Sequence, residues 1–202
     1  MQLYETAGTP NGRRVQIFMS EKDVDFPRVQ VDLRGGENIG DAYREKNPFG
    51  RIPMLELDDG MCIAESVAIC RYIEALHPEP PLFGTDAVSQ AKVEMWNRRA
   101  ELNFLMNVAM AFRNITGFFK DREKISNEWG EISQETAADT LPLFDAQLAE
   151  SEYIAGDQFS IADITLACAY DFGQAVKVQF PTDLPNINRW HALVSARPSF
   201  SG

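Results

Sequence analysis

Between residues 77 and 81 the chain reads His77-Pro78-Glu79-Pro80-Pro81. Proline lacks a backbone N–H and has a fixed φ, so such a run cannot continue a helix and stiffens whatever it connects. The patterning on its two sides differs. Before it, short strand-type runs are mixed with helical ones; after it, strand signals almost vanish. The prolines therefore predict a first domain over 1–76, a linker over 77–86 and a second domain over 87–202. With 45% hydrophobic residues, both parts can bury a core.

In the first part, Gln2 to Glu5 reads as a strand, closed by the breakers Gly8, Thr9, Pro10, Asn11 and Gly12. Val15, Phe18 and Met19 then recur at helical spacing beside Arg13, Arg14 and Lys22, giving a helix to about Lys22. Arg28 to Asp32 alternates as a half-buried strand does. A Gly35-Gly36 turn leads to a short helical stretch from Asp41 to Lys46. Ile52 to Leu57, the Asp58-Asp59-Gly60 turn and Met61 to Ile63 form a hairpin pattern. Val67, Ile69, Cys70, Tyr72, Ile73 and Leu76 make a broad apolar face on a helix opening at Glu65. The order is βαβ, helix, ββα, an α+β domain whose first two strands run parallel and whose last two pair antiparallel.

The second part reads as an all-α helical bundle. Ala87 to about Phe119 carries one long helical pattern, and Asn127 to Glu150 another with Pro142 as a kink or break. Ile161 to Val176 and Ile187 to Ala196 supply two more. Ser160 and Asp163 are spaced as a capping box, with Asp in place of the usual Glu or Gln, and Phe159 and Ile164 as a hydrophobic staple. Trp96 and Trp190 read as core residues.

Charge narrows the partners. The 30 acidic against 19 basic residues give a net charge of −11. That argues against nucleic acid and against docking on anionic lipid. Three cysteines (Cys62, Cys70 and Cys168), no C-x-x-C and only two histidines predict reduced core thiols and no metal site. The N-terminus lacks the basic-then-apolar pattern of a signal peptide, and no apolar run approaches a membrane span. The expectation is a soluble cytoplasmic protein.

Three places could carry chemistry. Thr9-Pro10-Asn11-Gly12 opens a helix, where free N–H groups and a partial positive charge gather, so Thr9 or Asn11 could donate to a thiolate or oxyanion; either could equally just cap the helix. In Asn47-Pro48-Phe49-Gly50-Arg51-Ile52-Pro53 a proline enters a strand, and a cis Ile52–Pro53 bond would turn the Ile52 backbone outward, where a short peptide could add as a strand. Glu65-Ser66 opens the next helix, with a carboxylate for an ammonium and a hydroxyl plus free amides for a carboxylate; it too could be a simple capping pair.

In this combination and order, Asn47-Pro48 to Ile52-Pro53, Glu65-Ser66, and the Phe159 to Ile164 box after Ala155-Gly156-Asp157 resemble the glutathione transferases over essentially the whole chain. Thr9-Pro10-Asn11-Gly12 is similar to the loop of the bacterial nu-type and fungal prion-like branches, and the theta type carries serine in place of Thr9. The resemblance implies a thioredoxin-like first domain. It implies that Thr9 and Asn11 address the glutathione sulfur, that Pro53 is cis, and that Ile52 pairs with the cysteinyl unit. It further implies that Glu65 and Ser66 grip the γ-glutamyl end, and that Arg51 and Asn38 meet the glycyl carboxylate. Glutathione would be the co-substrate, with no metal, in detoxifying attack on a small hydrophobic electrophile held against the α domain. Asn103, Met106, Asn107 and Met110 share one stripe for that electrophile, unless the stripe is core or dimer contact. Arg98 and Arg99, on the same helix, face water or another subunit. A homodimer is implied, each first domain against the other subunit's α domain. A glutathione-dependent disulfide or peroxide reductase and a non-catalytic interaction module are the other readings.

Overall fold

In the computed structural model, which describes residues 1–181 and 183–201, strand β1 (Gln2–Glu5) lies inside a four-stranded sheet. Its neighbours are β2 (Arg28–Gln30), which is parallel to it, and β3 (Met54–Glu56), which is antiparallel; β4 (Cys62–Ala64) completes the order β2-β1-β3-β4. Helices α1 (Pro10–Glu21) and α3 (Ser66–Leu76) pack on each other, and α2 (Asp41–Lys46) follows a 3-10 turn at Glu37–Ile39. Leu3, Val15, Phe18, Met54, Leu55, Ile69 and Ile73 are fully buried between these layers. The β3 ladder starts two residues later than the hairpin pattern implies, because Pro53 has no N–H to give it. Lys46 fastens α2 to the sheet through Glu56, 2.7 Å away; that pairing and the Tyr4 hydroxyl pull the Glu56 carboxyl down to about 2.

Two cations, Arg14 within α1 and Lys22 at its C-cap, depart from the sequence reading. Arg14 and Lys22, which the pattern sets among the polar positions, are 0% and 5% exposed. Lys22 Nζ sits 2.5 Å from Glu74 Oε2 and also donates to the carbonyls of Pro78 and Pro80. The proline stretch is thereby fastened to α1. The chain divides into two units, Met1–Pro81 and the residues from Leu82 on. Cys70 and Cys168 are buried and in no disulfide, whereas Cys62 on β4 is only half-buried.

The second unit contains α4 (Ala87–Arg99), a π-helical segment (Ala100–Leu105), α5 (Met106–Thr116), α6 (Asn127–Ala149), α7 (Ile161–Ala175) and α8 (Pro185–Ser195). The long pattern from Ala87 is thus a continuous helical run with a π segment inside it, ended by Gly117 in the left-handed conformation. Asp86 caps α4, accepting from the N–H groups of Val88 and Ser89 at 2.9 and 3.1 Å. Pro142 does not break α6 into two; it lies on the exposed side, where the carbonyl that loses its partner can turn to water. Trp96 is half-buried, with the Arg99 guanidinium carbon over its ring at 4.5 Å from the centroid, while Trp190 is fully buried. Arg98 is exposed and pairs with Glu101.

Helix α7 is buried from Ile161 to Tyr170, and α4, α5, α8 and the π segment all pack on it. The capping box at its start is present, and it does more than cap. Asp163 Oδ2 accepts from the N–H and the hydroxyl of Ser160, each at 3.0 Å. Oδ1 accepts from the Ile154 N–H and from Trp190 Nε1, each at 2.9 Å. One buried carboxylate therefore joins α7, the preceding loop and α8. Among the described residues no helix is long and apolar enough to cross a membrane.

Candidate functional site

The strand registers bring three sequence-distant loops to one end of the sheet. Tyr4 faces Met54, and Met54 faces Ala64. The segments beyond β1 (Thr6 to Thr9), before β3 (Ile52-Pro53) and after β4 (Glu65-Ser66) therefore leave the sheet together.

The first loop is tied down from below. Thr6 Oγ1 donates to Val31 O at 2.6 Å, and the Ala7 N–H donates to Gln30 Oε1 at 3.2 Å. Thr9 is the N-cap of α1, yet its side chain makes no cap bond; Oγ1 donates instead to Thr6 O at 2.8 Å. Simple capping by Thr9 or Asn11 is not what the side chains do. A Cβ at Gly12 would lie 2.8 Å from Thr9 Oγ1, so a larger residue there would have to displace that hydroxyl. Beneath the loop Glu5, 1% exposed, accepts from Gln16 Nε2 at 2.5 Å and from Gln30 Nε2 at 3.3 Å.

Asn11 and Ser66, 55 residues apart, meet: Ser66 Oγ donates to Asn11 Oδ1 at 3.4 Å. A residue the pattern reading missed joins them. Arg14 Nη1 donates to Ser66 Oγ at 2.7 Å from a fully buried position. The available signal was its spacing, since Arg14 precedes Ile17 and Phe18 by three and four positions and so shares their inward face. Glu65, the N-cap of α3, has φ 69° and ψ 116°, and its side chain is exposed. Such a backbone costs a residue with a Cβ on the order of 1–3 kcal/mol and collects at sites that bind or react.

The third loop is also clamped. The Ile52–Pro53 bond is cis. The Arg51 carbonyl accepts from Tyr43 Oη at 2.8 Å and from Asn47 Nδ2 at 2.7 Å. Burial pushes the Tyr43 phenol up to about 12, so it remains a protonated donor. The Ile52 N–H and C=O make no hydrogen bond among the described residues, which leaves an edge for an extended peptide. Asn38 is turned inward, 8% exposed, with Nδ2 on Gly50 O at 2.7 Å. Gly50 has φ +59°, and a Cβ there would sit 2.7 Å from Asn38 O. Asn38 thus holds the turn from which the exposed Arg51 side chain projects.

In the other unit, Asn103 and Met106 are exposed and Asn107 and Met110 half-buried, so the stripe is not core. Its amides point along the helix, Asn103 Nδ2 to Arg99 O at 3.2 Å and Asn107 Nδ2 to Asn103 O at 2.7 Å. No group of three or more His, Cys, Asp or Glu among the described residues is arranged to hold a metal ion.

Residues 3–81 match the family described as glutathione S-transferase, N-terminal domain, and residues 109–198 match glutathione S-transferase, C-terminal domain. Glutathione S-transferase 2 of Saccharomyces cerevisiae is 37% identical over 203 residues, covering 98% of this chain and 87% of that protein. The crystal structure of a glutathione S-transferase domain-containing protein of Marinobacter aquaeolei superposes with a TM-score of 0.96 at 38% identity, covering 100% of both chains. A class Gtt2 glutathione S-transferase of Vibrio parahaemolyticus superposes with a TM-score of 0.87 at 43% identity, covering 100% of this chain and 96% of that one. With both units matched and identity at this level along the whole length, the chain belongs to the glutathione S-transferase family.

Proposed function

We propose that this chain binds glutathione and activates its thiol for attack on small electrophiles. The observation that carries the reading is the gathering, at one end of the sheet, of the Asn11 amide, the unpaired Ile52 backbone and the strained Glu65-Ser66 helix start. Each answers one part of the tripeptide. The first N–H groups of α3, that of Ser66 among them, suit the γ-glutamyl carboxylate, and the Glu65 carboxylate suits its ammonium; the Ser66 hydroxyl stays with Arg14 and Asn11. The Ile52 N–H and C=O suit the cysteinyl unit as an added strand. Arg51 suits the glycyl carboxylate, and Asn38 supports that contact by holding the Gly50 turn.

A thiol ionises near 8.5, and each unit of depression requires about 1.4 kcal/mol of preference for the thiolate. One charge-assisted hydrogen bond supplies that order of energy. Asn11 is the donor in this proposal; Thr9 shapes the loop through Thr6 and can reach the sulfur only by leaving that bond. The thiolate sulfur attacks the electrophilic carbon, the leaving group departs with the electron pair, and the thiol proton passes to solvent. The resemblance assigns the apolar acceptor to Met106 and Met110 of the second unit, with Asn103 and Asn107 as polar neighbours. A homodimer acting in the cytoplasm belongs to the same proposal, as the resemblance implies.

Calorimetric titration with glutathione, followed by turnover of a chlorinated nitroarene, a hydroperoxide and hydroxyethyl disulfide, tests the reading. Binding with nitroarene conjugation is the expected result. Turnover of the disulfide alone would make the protein a reductase, and absence of glutathione binding would end the proposal. Glu65→Gly supplies a separate check. Glycine relieves the positive φ, so thermal stability should hold or rise by about 1 kcal/mol while KM for glutathione rises at least tenfold. A fall in stability with unchanged KM would show Glu65 to be structural.

A further inference from the structure

We infer that Arg14 is a positioning residue which, acting through Ser66, fixes which end of the Asn11 amide faces the glutathione sulfur. The inference rests on the proposed function and deepens it. Its basis is the polarity of a three-membered chain of hydrogen bonds.

A guanidinium only donates. Arg14 Nη1 lies 2.7 Å from Ser66 Oγ, so the serine oxygen is the acceptor there. A hydroxyl that accepts on one side sends its own hydrogen elsewhere, and Asn11 Oδ1 stands 3.4 Å away. With its oxygen engaged, Asn11 must present Nδ2 and two hydrogens on the opposite side. The two ends of a carboxamide have nearly the same shape, so such networks decide their direction. Here the deciding group is donor-only and fully buried, and the Ser66 hydroxyl hydrogen has Asn11 Oδ1 as its one acceptor among the described residues, which sets the sense of the chain. Thr9 has the opposite outward character: its hydrogen is on Thr6 O, so lone pairs face out, which favour a neutral thiol. The charged group approaching from β1 is Glu5, whose Oε2 lies 3.6 Å from the Cβ position of Gly12; Gln16 and Gln30 occupy its two oxygens. Arg14 therefore governs whether the sulfur meets a donor or an acceptor.

The test is the thiol pKa of bound glutathione, read from thiolate ultraviolet absorbance against pH. It is measured for the wild type, Ser66→Ala, Arg14→Gln and Asn11→Asp, with melting temperature and glutathione affinity alongside. Ser66→Ala keeps the Arg14 charge and removes the relay. Arg14→Gln can donate or accept, so the polarity is lost. Both should lower the thiolate-to-thiol ratio at fixed pH at least tenfold. Asn11→Asp, which turns an acceptor-only oxygen toward the sulfur, should return the thiol to its free value of about 8.5 or above. A bound thiol pKa unchanged in Ser66→Ala would overturn the inference while leaving the proposed function intact; one unchanged in Asn11→Asp would overturn the inference and also remove Asn11 from thiol activation, glutathione binding still standing. Should Arg14→Gln fail to fold, Ser66→Ala decides alone. No glutathione binding by the wild type would remove the proposed function and this inference with it.

Discussion

Asp163→Ala is expected to lower the stability of the protein by about 4 kcal/mol, measured as a shift of the chemical unfolding midpoint. Four donors converge on this carboxylate: the Ser160 N–H and hydroxyl, the Ile154 N–H and the Trp190 indole. All lose their acceptor at once. Each stranded buried donor costs about 1–3 kcal/mol, against a total domain stability of about 5–15 kcal/mol. Trp190 cannot turn its N–H to water, because the residue is 0% exposed. The loss should also depend on pH in a stated direction. Burial pushes the Asp163 carboxyl up to about 6 from an ordinary 3.8. Between those values the folded chain holds a proton that the unfolded chain has released, so this group's contribution falls as pH rises through that window. The destabilisation by Asp163→Ala should accordingly be largest below about pH 4 and smaller above pH 6. A loss under 1 kcal/mol at every pH would show that the four bonds are replaced by other partners.

Asn11→Ala is expected to reduce kcat for conjugation about 100-fold, with glutathione affinity within threefold of wild type. Removing one aimed donor from a developing or fixed anion has costs of that order. The affinity should hold because the peptide's two carboxylates and its backbone are assigned to Glu65-Ser66, Arg51 and Ile52, which the change leaves in place. The chemistry should fail because the thiolate loses its donor. Initial rates at saturating electrophile, with affinity measured separately, distinguish the two. A kcat within threefold of wild type would remove Asn11 from thiol activation.

How much of this could be read from residues alone depended on the range of the interaction. The ββα hairpin and helix, the Ser160–Asp163 box and the loop at Thr9 are local, and local spacing identified them. The π segment at Ala100–Leu105 and the unbroken α6 through Pro142 are local too, but backbone accommodation decides them and composition does not reveal it. Arg14 was missed for a different reason. Polarity ranked it among surface residues, although its spacing to Ile17 and Phe18 turns it inward, and the serine hydroxyl that it meets lies 52 positions away. Asn38 shows the converse: it stands in a segment read as part of the site, yet its amide faces the Gly50 carbonyl. Residue type suggested the chemistry at each position, and only packing determined which atoms face outward.

The buried ammonium of Lys22 changes what the proline stretch is. Held by Glu74 and by the carbonyls of Pro78 and Pro80, it makes 77–81 the last turn of the first unit rather than a spacer. On the other side, Leu82 is buried and its carbonyl accepts from the Ile161 N–H. What belongs to neither unit thus shrinks to the single peptide at Pro81–Leu82. Anyone dissecting this protein should cut there: a fragment ended at Leu76 would leave a desolvated cation without two of its three oxygens.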